Sequence, residues 1–328
     1  MSLRYILLAL LMSSSIGSHA QPASSSQQVA SAAPRQVKSS QQVALATPRP
    51  DPFLPDSIVK KIDSIFTSQR GFFALAFKDL QTGKQLMIHE QESFHAASTM
   101  KVPVMIELYH QAAQGRLRLS DSLVLKNEFI SIADSSLFHL DSADDSEQEL
   151  YKHIGEKRTL QTLTYQMITL SSNFATNLLI DKVTPRNITA TLQELGAPDI
   201  HVLRGVEDNA AYHRGMNNTV TAHGLLTLFE KMANKNLISP AASTAMIRIL
   251  LDQHYNEIIP AQLPAGIQVA HKTGWIKGIN HDAGIVFLPD GRKYVLVLLS
   301  KDTEEDKASI AAMAAVSKIL YQYVTGLY

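Results

Sequence analysis

The chain contains no cysteine among its 328 residues. Disulfide bonds, thiolate nucleophiles and a lipid-modified N-terminal cysteine are therefore excluded. The 12 histidines do not occur in the H-x-H or H-E-x-x-H spacing of zinc sites, so neither a metal nor another cofactor is expected. A chain of this length without disulfides has to be stabilised by a hydrophobic core.

The chain also has no excess of charge of either sign, with 30 basic and 30 acidic residues. A balanced surface does not attract a polyanion, so a nucleic-acid partner is not expected. Charged residues make up 18% of the chain and hydrophobic residues 45%, which is an ordinary composition for a globular protein. The length permits one large domain or two interleaved lobes.

Long hydrophobic runs are missing as well. The apolar stretch at residues 5–12 is far shorter than the ~20 residues that span a bilayer. It follows Arg4 and precedes the small residues around Ala20, which is the pattern of a cleaved secretory signal. The sequence therefore predicts a signal peptide over 1–20, export to the periplasm or the extracellular space, and no stable membrane anchor.

Residues 21–50 are rich in Ser, Gln, Ala and Pro. The sequence SSQQVA at 25–30 recurs at 39–44. Such a segment has too few apolar residues to bury a core, so we predict that it is a disordered tether. The folded domain is expected over 51–328.

Hydrophobic periodicity predicts strands near both ends of this domain. Alternating apolar residues around Phe73 and Leu86 indicate a hairpin, and the Pro-Asp-Gly turn at 289–291 indicates another near the C-terminus. The segment before Lys272 also has the character of a strand, which we expect to lie inside the sheet. A first helix capped by Asp56 and a terminal helix should pack against the sheet.

Between these strands the sequence is predicted to be mainly helical, over 120–260. Apolar stripes such as Leu160, Leu163 and Met167 are typical of helices packed in a core. The acidic segment 141–149 is interpreted as a solvated loop. The predicted class is therefore α+β, with an antiparallel sheet flanked by helices and an all-α lobe inserted at about 115–260.

Ser98 and Lys101 form an S-x-x-K pair. On a helix, residues three apart lie on the same face, so the lysine amine can act on the proton of the serine hydroxyl. The same pattern occurs at Ser57 and Lys60, where a helix cap is the expected role of the serine. The pair alone is therefore weak support for catalysis, because Ser98 could also be a plain cap and Lys101 a surface residue.

Two further motifs single out Ser98. Ser171 and Asn173 form the only Ser-x-Asn in the chain, and Lys272 begins its only Lys-Thr-Gly. We expect the Ser171 hydroxyl to relay a proton to a leaving nitrogen. Asn173 can donate to a substrate amide carbonyl and contact Lys101.

The Lys-Thr-Gly motif suits the recognition of an acidic substrate. Lys272 supplies positive charge, Thr273 can donate to a substrate carboxylate, and Gly274 lets the substrate approach the backbone. The next residue, Trp275, lines the expected pocket, and its backbone N–H together with that of Ser98 could form an oxyanion hole. Lys101 can act as a base only when neutral, and burial beside Lys272 would lower its pKa.

Residues 55–325 resemble the class A β-lactamases and the wider β-lactamase-like serine hydrolases. The resemblance lies in the S-x-x-K, Ser-x-Asn and Lys-Thr-Gly motifs, in their order and in their spacing. This resemblance implies an α/β/α sandwich of the β-lactamase/transpeptidase type. It also implies that Ser98 forms an acyl-enzyme with a β-lactam, which water then hydrolyses.

The chain departs from the family pattern at three places. Ser172 stands where the second motif usually has an aspartate, and Trp275 stands where a small or hydroxyl residue is common. The E-x-x-L-N motif that carries the deacylating glutamate is absent. Glu207 occupies a similar place, with Asp208 beside it, and the longer side chain of Glu207 is better able to reach a water. Both could instead be solvated loop acids.

Three functions remain open at this stage. The first is an exported serine β-lactamase in which Ser98, Lys101, Ser171 and Glu207 are catalytic. The second is a peptidoglycan D,D-peptidase-like hydrolase, and the third is a penicillin-binding sensor or binding module that is acylated without turnover. The expected partner is a β-lactam or a peptidoglycan-like peptide, and the expected state is a monomer.

Overall fold

Five antiparallel strands form the central sheet of the computed structural model, which describes residues 53–328. The sheet contains β1 (Phe72–Asp79), β2 (Gln85–Ile88), β9 (Gln268–Ile276), β10 (Ile279–Phe287) and β11 (Lys293–Lys301), in the order β2-β1-β11-β10-β9. The two predicted hairpins are confirmed. The predicted signal peptide at 1–20 and the predicted tether at 21–50 lie outside the described residues.

Helices cover both faces of this sheet. They are α1 (Asp56–Thr67), α2 (Lys101–Ala113), α3 (Leu160–Thr169), α4 (Asn173–Val183), α5 (Pro185–Glu194), α6 (Asn209–His213), α7 (Ala222–Ala233), α8 (Pro240–Leu251) and α9 (Asp306–Thr325). Shorter strands pair outside the sheet, namely β3 (Phe94–His95) with β8 (Thr219–Val220), β4 (Ser122–Val124) with β7 (Lys157–Thr159), and β5 (Phe129–Ile130) with β6 (Leu137–Phe138). Single 3₁₀ turns occupy Ala97–Met100 and Glu149–His153.

The central strands bury both of their faces, because neighbouring side chains of a strand point to opposite sides. In β1, Phe73, Leu75 and Phe77 pack in the core that α1 and α9 cover. Ala74 and Ala76 face the other core, which is formed with the remaining helices. The sheet is thus the middle of three layers, and the predicted α+β sandwich is confirmed.

Capping residues explain where several helices begin and end. Ser172 accepts a hydrogen bond from the backbone N–H of Ala175 and so caps α4. Gly115, at a φ of +70°, follows the end of α2. The predicted cap at Asp56 is wrong: Pro55 precedes α1 and Asp56 is its first residue, near the positive end of the helix dipole.

Two other sequence predictions need correction. Residues 120–159 are not helical: they contain short strand pairs and a 3₁₀ turn, and this polar segment lacks a sustained helical stripe. The strand that carries Lys272 is not an inner strand, because β9 lies at the edge of the sheet. An edge strand leaves one side of its backbone outside the sheet's hydrogen bonding, so it can border a cleft. Among the described residues, no helix is both long and apolar enough to cross a membrane.

Gly284 provides a test of the packing between β9 and β10. It lies opposite His271, and a Cβ atom built on it would be 2.4 Å from His271 Cβ and 2.6 Å from the Ala270 carbonyl oxygen. We expect Gly284→Ala to lower the free energy of unfolding by about 3 kcal/mol or more, measured by denaturant titration. The control is Gly83→Ala, where nothing lies within 4 Å and only a backbone cost of about 1–2 kcal/mol is expected. Wild-type stability in Gly284→Ala would contradict the described contact.

Candidate active site

Ser98 lies in the single 3₁₀ turn that leads directly into α2. The residue before it, Ala97, has a φ of +43°, a conformation that is unfavourable for a residue with a Cβ. The backbone N–H of Ala97 donates to Nδ1 of His95 at 3.1 Å, which holds this turn in place. Ser98 is half-buried. The competing serine of the other S-x-x-K pair, Ser57, is exposed on α1.

Lys101 is the first residue of α2, and its side chain is fully buried. Its Nζ donates to the Ser171 carbonyl oxygen at 2.5 Å, to Asn173 Oδ1 at 2.8 Å and to Ser171 Oγ at 3.1 Å. Burial lowers the pKa of Lys101 to about 7, although the charges of Asp145 and Glu207 oppose the shift. The sequence predicts a lowering by burial beside Lys272, and desolvation by burial is the principal cause of the shift.

Lys272 approaches Ser171 from the edge strand β9. Its Nζ donates to Ser171 Oγ at 3.1 Å and to the Thr273 carbonyl oxygen at 2.9 Å. Burial, followed by the charge of Lys101, lowers the pKa of Lys272 well below its usual value. The Ser171 hydroxyl is therefore within hydrogen-bond distance of both lysine amines.

Gly274 allows β9 to pass close to the turn that carries Ser98. A Cβ on this residue would lie 3.1 Å from the backbone nitrogen of Ser98 and 3.2 Å from Ala97 Cβ. Thr273 is half-buried beside it. Trp275 is 62% exposed, so its indole forms a wall of the cleft rather than part of the core.

Glu207 reaches the site through Asn173. The Asn173 Nδ2 donates to Glu207 Oε1 at 2.8 Å, while the Oδ1 of the same amide accepts from Lys101. Partial burial raises the pKa of Glu207, and the Asn173 hydrogen bond opposes this effect. Val206, the residue before Glu207, is held by the side chain of Asn177. This side chain accepts from the Val206 N–H at 2.6 Å and donates to the Val206 carbonyl oxygen at 2.9 Å.

Asp208 has a different environment from Glu207. It is buried, and its carboxylate accepts hydrogen bonds from Ser131 Oγ at 2.7 Å, the Ile132 N–H at 3.0 Å and the Ala211 N–H at 3.0 Å. It therefore caps α6 and fastens this loop to a neighbouring one. Neither acid is the solvated loop residue that the sequence allowed, and only Glu207 of the two lines the cleft.

Two adjoining cavities meet at Ser98, with volumes of about 290 Å³ and 600 Å³. The residues that line both are Ser98, Asn173, Val206, Glu207, Asn209, Trp275 and Ile276. The smaller cavity extends towards His95 and Tyr212, and the larger one towards Thr273. Together they have the size of a site for a small organic molecule.

The two histidines near the motif strand are structural. His271 is buried, with Nδ1 2.8 Å from Asp282 Oδ1 and Nε2 3.2 Å from Asn256 Oδ1. His281 is buried beside the His95 carbonyl, and burial lowers its pKa to about 4. Among the described residues, no cluster of three or more His, Asp or Glu side chains could hold a metal ion.

Sequence reasoning missed one buried acid next to the site. Asp145, in the segment interpreted as a solvated loop, accepts from the N–H groups of Asn173 at 3.0 Å and Phe174 at 2.8 Å. These partners lie 28 and 29 residues away along the chain, so no local pattern could have indicated the contact.

Comparison with known proteins agrees with this geometry. The model of the beta-lactamase enzyme family matches residues 57–324. A curated relative, the extended-spectrum beta-lactamase PER-1 of Pseudomonas aeruginosa, is 24% identical over 279 residues, which cover 80% of this chain and 86% of the relative.

Solved structures share the fold. A beta-lactamase from Sphaerobacter thermophilus superposes with a TM-score of 0.70 at 24% identity, covering 83% of this chain and 98% of its own. A variant of PBP-A, solved as an acyl-enzyme complex with penicillin G, has a TM-score of 0.69 at 25% identity and covers 83% of this chain and 100% of its own. With the family match extending over most of the described residues, the chain belongs to the beta-lactamase enzyme family.

Proposed function

We propose that this protein is an exported serine β-lactamase that opens the β-lactam amide through an acyl-enzyme on Ser98. The observation that carries the proposal is that Ser171 Oγ lies 3.1 Å from both buried lysine amines and that Ser171 lines the larger cavity together with Ser98. Family membership supports the reaction class, and the predicted signal at 1–20 supports export.

Acylation requires that the Ser98 hydroxyl lose its proton as its Oγ attacks the β-lactam carbonyl carbon. Lys101 can accept this proton because a pKa of about 7 leaves a large fraction of the amine neutral at physiological pH. Glu207 is the alternative acceptor, acting through a water. The backbone N–H groups of Ser98 and Trp275 are assigned to the developing oxyanion.

Cleavage of the amide C–N bond leaves a nitrogen that needs a proton. Ser171 is assigned to deliver it, because its hydroxyl lies 3.1 Å from the amines of both Lys101 and Lys272, and either amine can replenish the proton. Lys272 and Thr273 bind the substrate carboxylate, and Asn173 donates to the substrate side-chain amide.

Deacylation requires a water that attacks the ester carbonyl of the acyl-enzyme. Glu207 is the proposed base, since its carboxylate lies on the cleft and is held by Asn173 at 2.8 Å. It takes a proton from the water as the new C–O bond forms, and the Ser98 oxygen leaves and is reprotonated. Asp208 is not assigned this role because its oxygens are occupied by structural hydrogen bonds.

The first test is steady-state turnover of a chromogenic cephalosporin combined with intact-protein mass spectrometry. We expect turnover in the wild type and a loss of roughly 10³-fold or more in Ser98→Ala, because the nucleophile is removed. Ser57→Ala is the matched control from the other S-x-x-K pair and should behave as wild type. A stable adduct without turnover would instead indicate a penicillin-binding sensor, and the absence of both turnover and adduct would contradict all β-lactam functions. Hydrolysis of a D-Ala-D-Ala peptide without cephalosporin turnover would indicate the D,D-peptidase.

A second test separates the two halves of the cycle. Glu207→Gln should slow deacylation by roughly 10²-fold or more and reduce acylation much less, because general-base catalysis is lost only where the water reacts. Single-turnover kinetics measure both rates, and the acyl-enzyme should accumulate. The exposed Glu194→Gln is the control. Equal losses in both rates, or no loss, would show that Glu207 is not the deacylating base.

A third test concerns the base in acylation. If neutral Lys101 accepts the proton, the acylation rate should level off above pH 7 and fall about tenfold per pH unit well below it, because the protonated amine cannot act as a base. The profile is best measured in Glu207→Gln, where the carboxylate no longer titrates. Loss of the Glu207 charge lowers the pKa of Lys101, so the limb should lie below pH 7 in this variant. Absence of any acid limb in this variant would assign the first proton transfer to Glu207.

A further inference from the structure

Asp145 is the one carboxylate of the acidic segment 141–149 that is buried next to the nucleophile network. It is 4% exposed, whereas its neighbour Asp144 lies at the surface. A buried carboxylate is costly unless hydrogen bonds compensate for the lost water. The partners of Asp145 therefore indicate what the burial achieves.

Four hydrogen bonds converge on this carboxylate. Oδ1 accepts from the N–H groups of Asn173 at 3.0 Å and Glu147 at 3.1 Å, and Oδ2 accepts from the Phe174 N–H at 2.8 Å and the Tyr151 hydroxyl at 2.9 Å. Asn173 and Phe174 begin α4, where N–H groups have no partner within the helix. A negative charge is also favourable at this positive end of the helix dipole.

Asp145 and Ser172 together satisfy the first turn of α4. Ser172 Oγ accepts a hydrogen bond from the N–H of Ala175, and the Asp145 carboxylate accepts from the N–H groups of Asn173 and Phe174. At the position where the family pattern usually has an aspartate, this chain has a serine, and the carboxylate comes from a different loop. The Tyr151 ring, which stacks on Phe174 with centroids 4.7 Å apart, ties that loop to the helix.

The orientation of this turn decides where the Asn173 amide points. Its Oδ1 accepts from Lys101 at 2.8 Å and its Nδ2 donates to Glu207 at 2.8 Å, so one amide connects the two groups proposed to move protons. A small rotation of the first turn of α4 would break one or both contacts. Misplacement of a reacting group by about 1 Å can cost ~10²-fold in rate.

We propose that Asp145 is a positioning residue, which holds the first turn of α4 so that Asn173 bridges Lys101 and Glu207. Its relevance to catalysis rests on the proposed β-lactamase function. Asp145 borders the larger cavity, but both of its carboxylate oxygens are engaged in these four hydrogen bonds, so it acts through the helix.

The negative charge of Asp145 also affects the pKa of Lys101, which can be measured independently of the stability of the protein. It stabilises the Lys101 ammonium and so raises the pKa of Lys101, while Lys272 and Glu207 also face this amine. Loss of the negative charge should therefore lower the pKa of Lys101. Apart from Lys101 and Glu207, the titratable groups that face Asp145 are Tyr151 and Glu147.

The principal variant is Asp145→Asn, which keeps the shape but replaces one acceptor oxygen with a donor. We expect the acylation rate with a chromogenic cephalosporin to fall roughly 10- to 100-fold and its acid limb to move to lower pH. Asp141→Asn is the matched control and should stay within about twofold of wild type, because its side chain is exposed and lines neither cavity. Tyr151→Phe removes one donor and keeps the carboxylate, so it should cause a smaller loss without a shift of the limb.

Nitrogen-15 NMR of Nζ-labelled lysine gives a readout that needs no substrate. The pKa of Lys101 should be lower in Asp145→Asn than in wild type and unchanged in Asp141→Asn. A folded Asp145→Asn protein with wild-type acylation and an unchanged Lys101 pKa would overturn the positioning role. If Asp145→Asn does not fold, the acylation rate of Tyr151→Phe is the test. A rate equal to that of the wild type would overturn the proposal. Failure of the proposed function is recognised separately, since the wild type itself would then neither hydrolyse the cephalosporin nor form an adduct on Ser98.

Discussion

The burial of the Lys101 amine is the constraint on which the rest of the site depends. A lysine taken out of water at the base of a cleft needs acceptors on several sides. The Ser171 carbonyl and hydroxyl and the Asn173 amide supply them at 2.5–3.1 Å. The same burial brings the pKa of Lys101 to about 7, where the amine can exchange protons at physiological pH.

These acceptors come from elements that must be held rigidly against one another. α2 presents Lys101, the turn before α4 presents Ser171, the first residue of α4 is Asn173, and the edge strand β9 presents Lys272. Gly274 lets β9 approach the Ser98 turn, and Asn177 and Asp208 fasten the loop that carries Glu207. Substituting one of these supports therefore has an effect at the amine, although most of them do not face the cleft.

Much of the fold and the nucleophile network could be predicted from the sequence, because their signals are local. Strand alternation around Phe73 and the turn at 289–291 indicate the hairpins, and three short motifs identify Ser98, Ser171 and Lys272. Two of the failed predictions depend on contacts between distant segments. The position of β9 at the edge of the sheet and the burial of Asp145 are properties of the assembled fold, and neither leaves a trace in the neighbouring sequence.

The central claim is that a β-lactam is bonded to Ser98, and peptide mapping of the trapped acyl-enzyme tests it most directly. Trypsin releases residues 85–101, a peptide that contains both Ser93 and Ser98. The Glu207→Gln variant is allowed to react with a cephalosporin and is then quenched with acid. Tandem mass spectrometry of its tryptic peptides should place the added mass on Ser98. An adduct on Ser93, or on a peptide from elsewhere in the chain, would contradict the account.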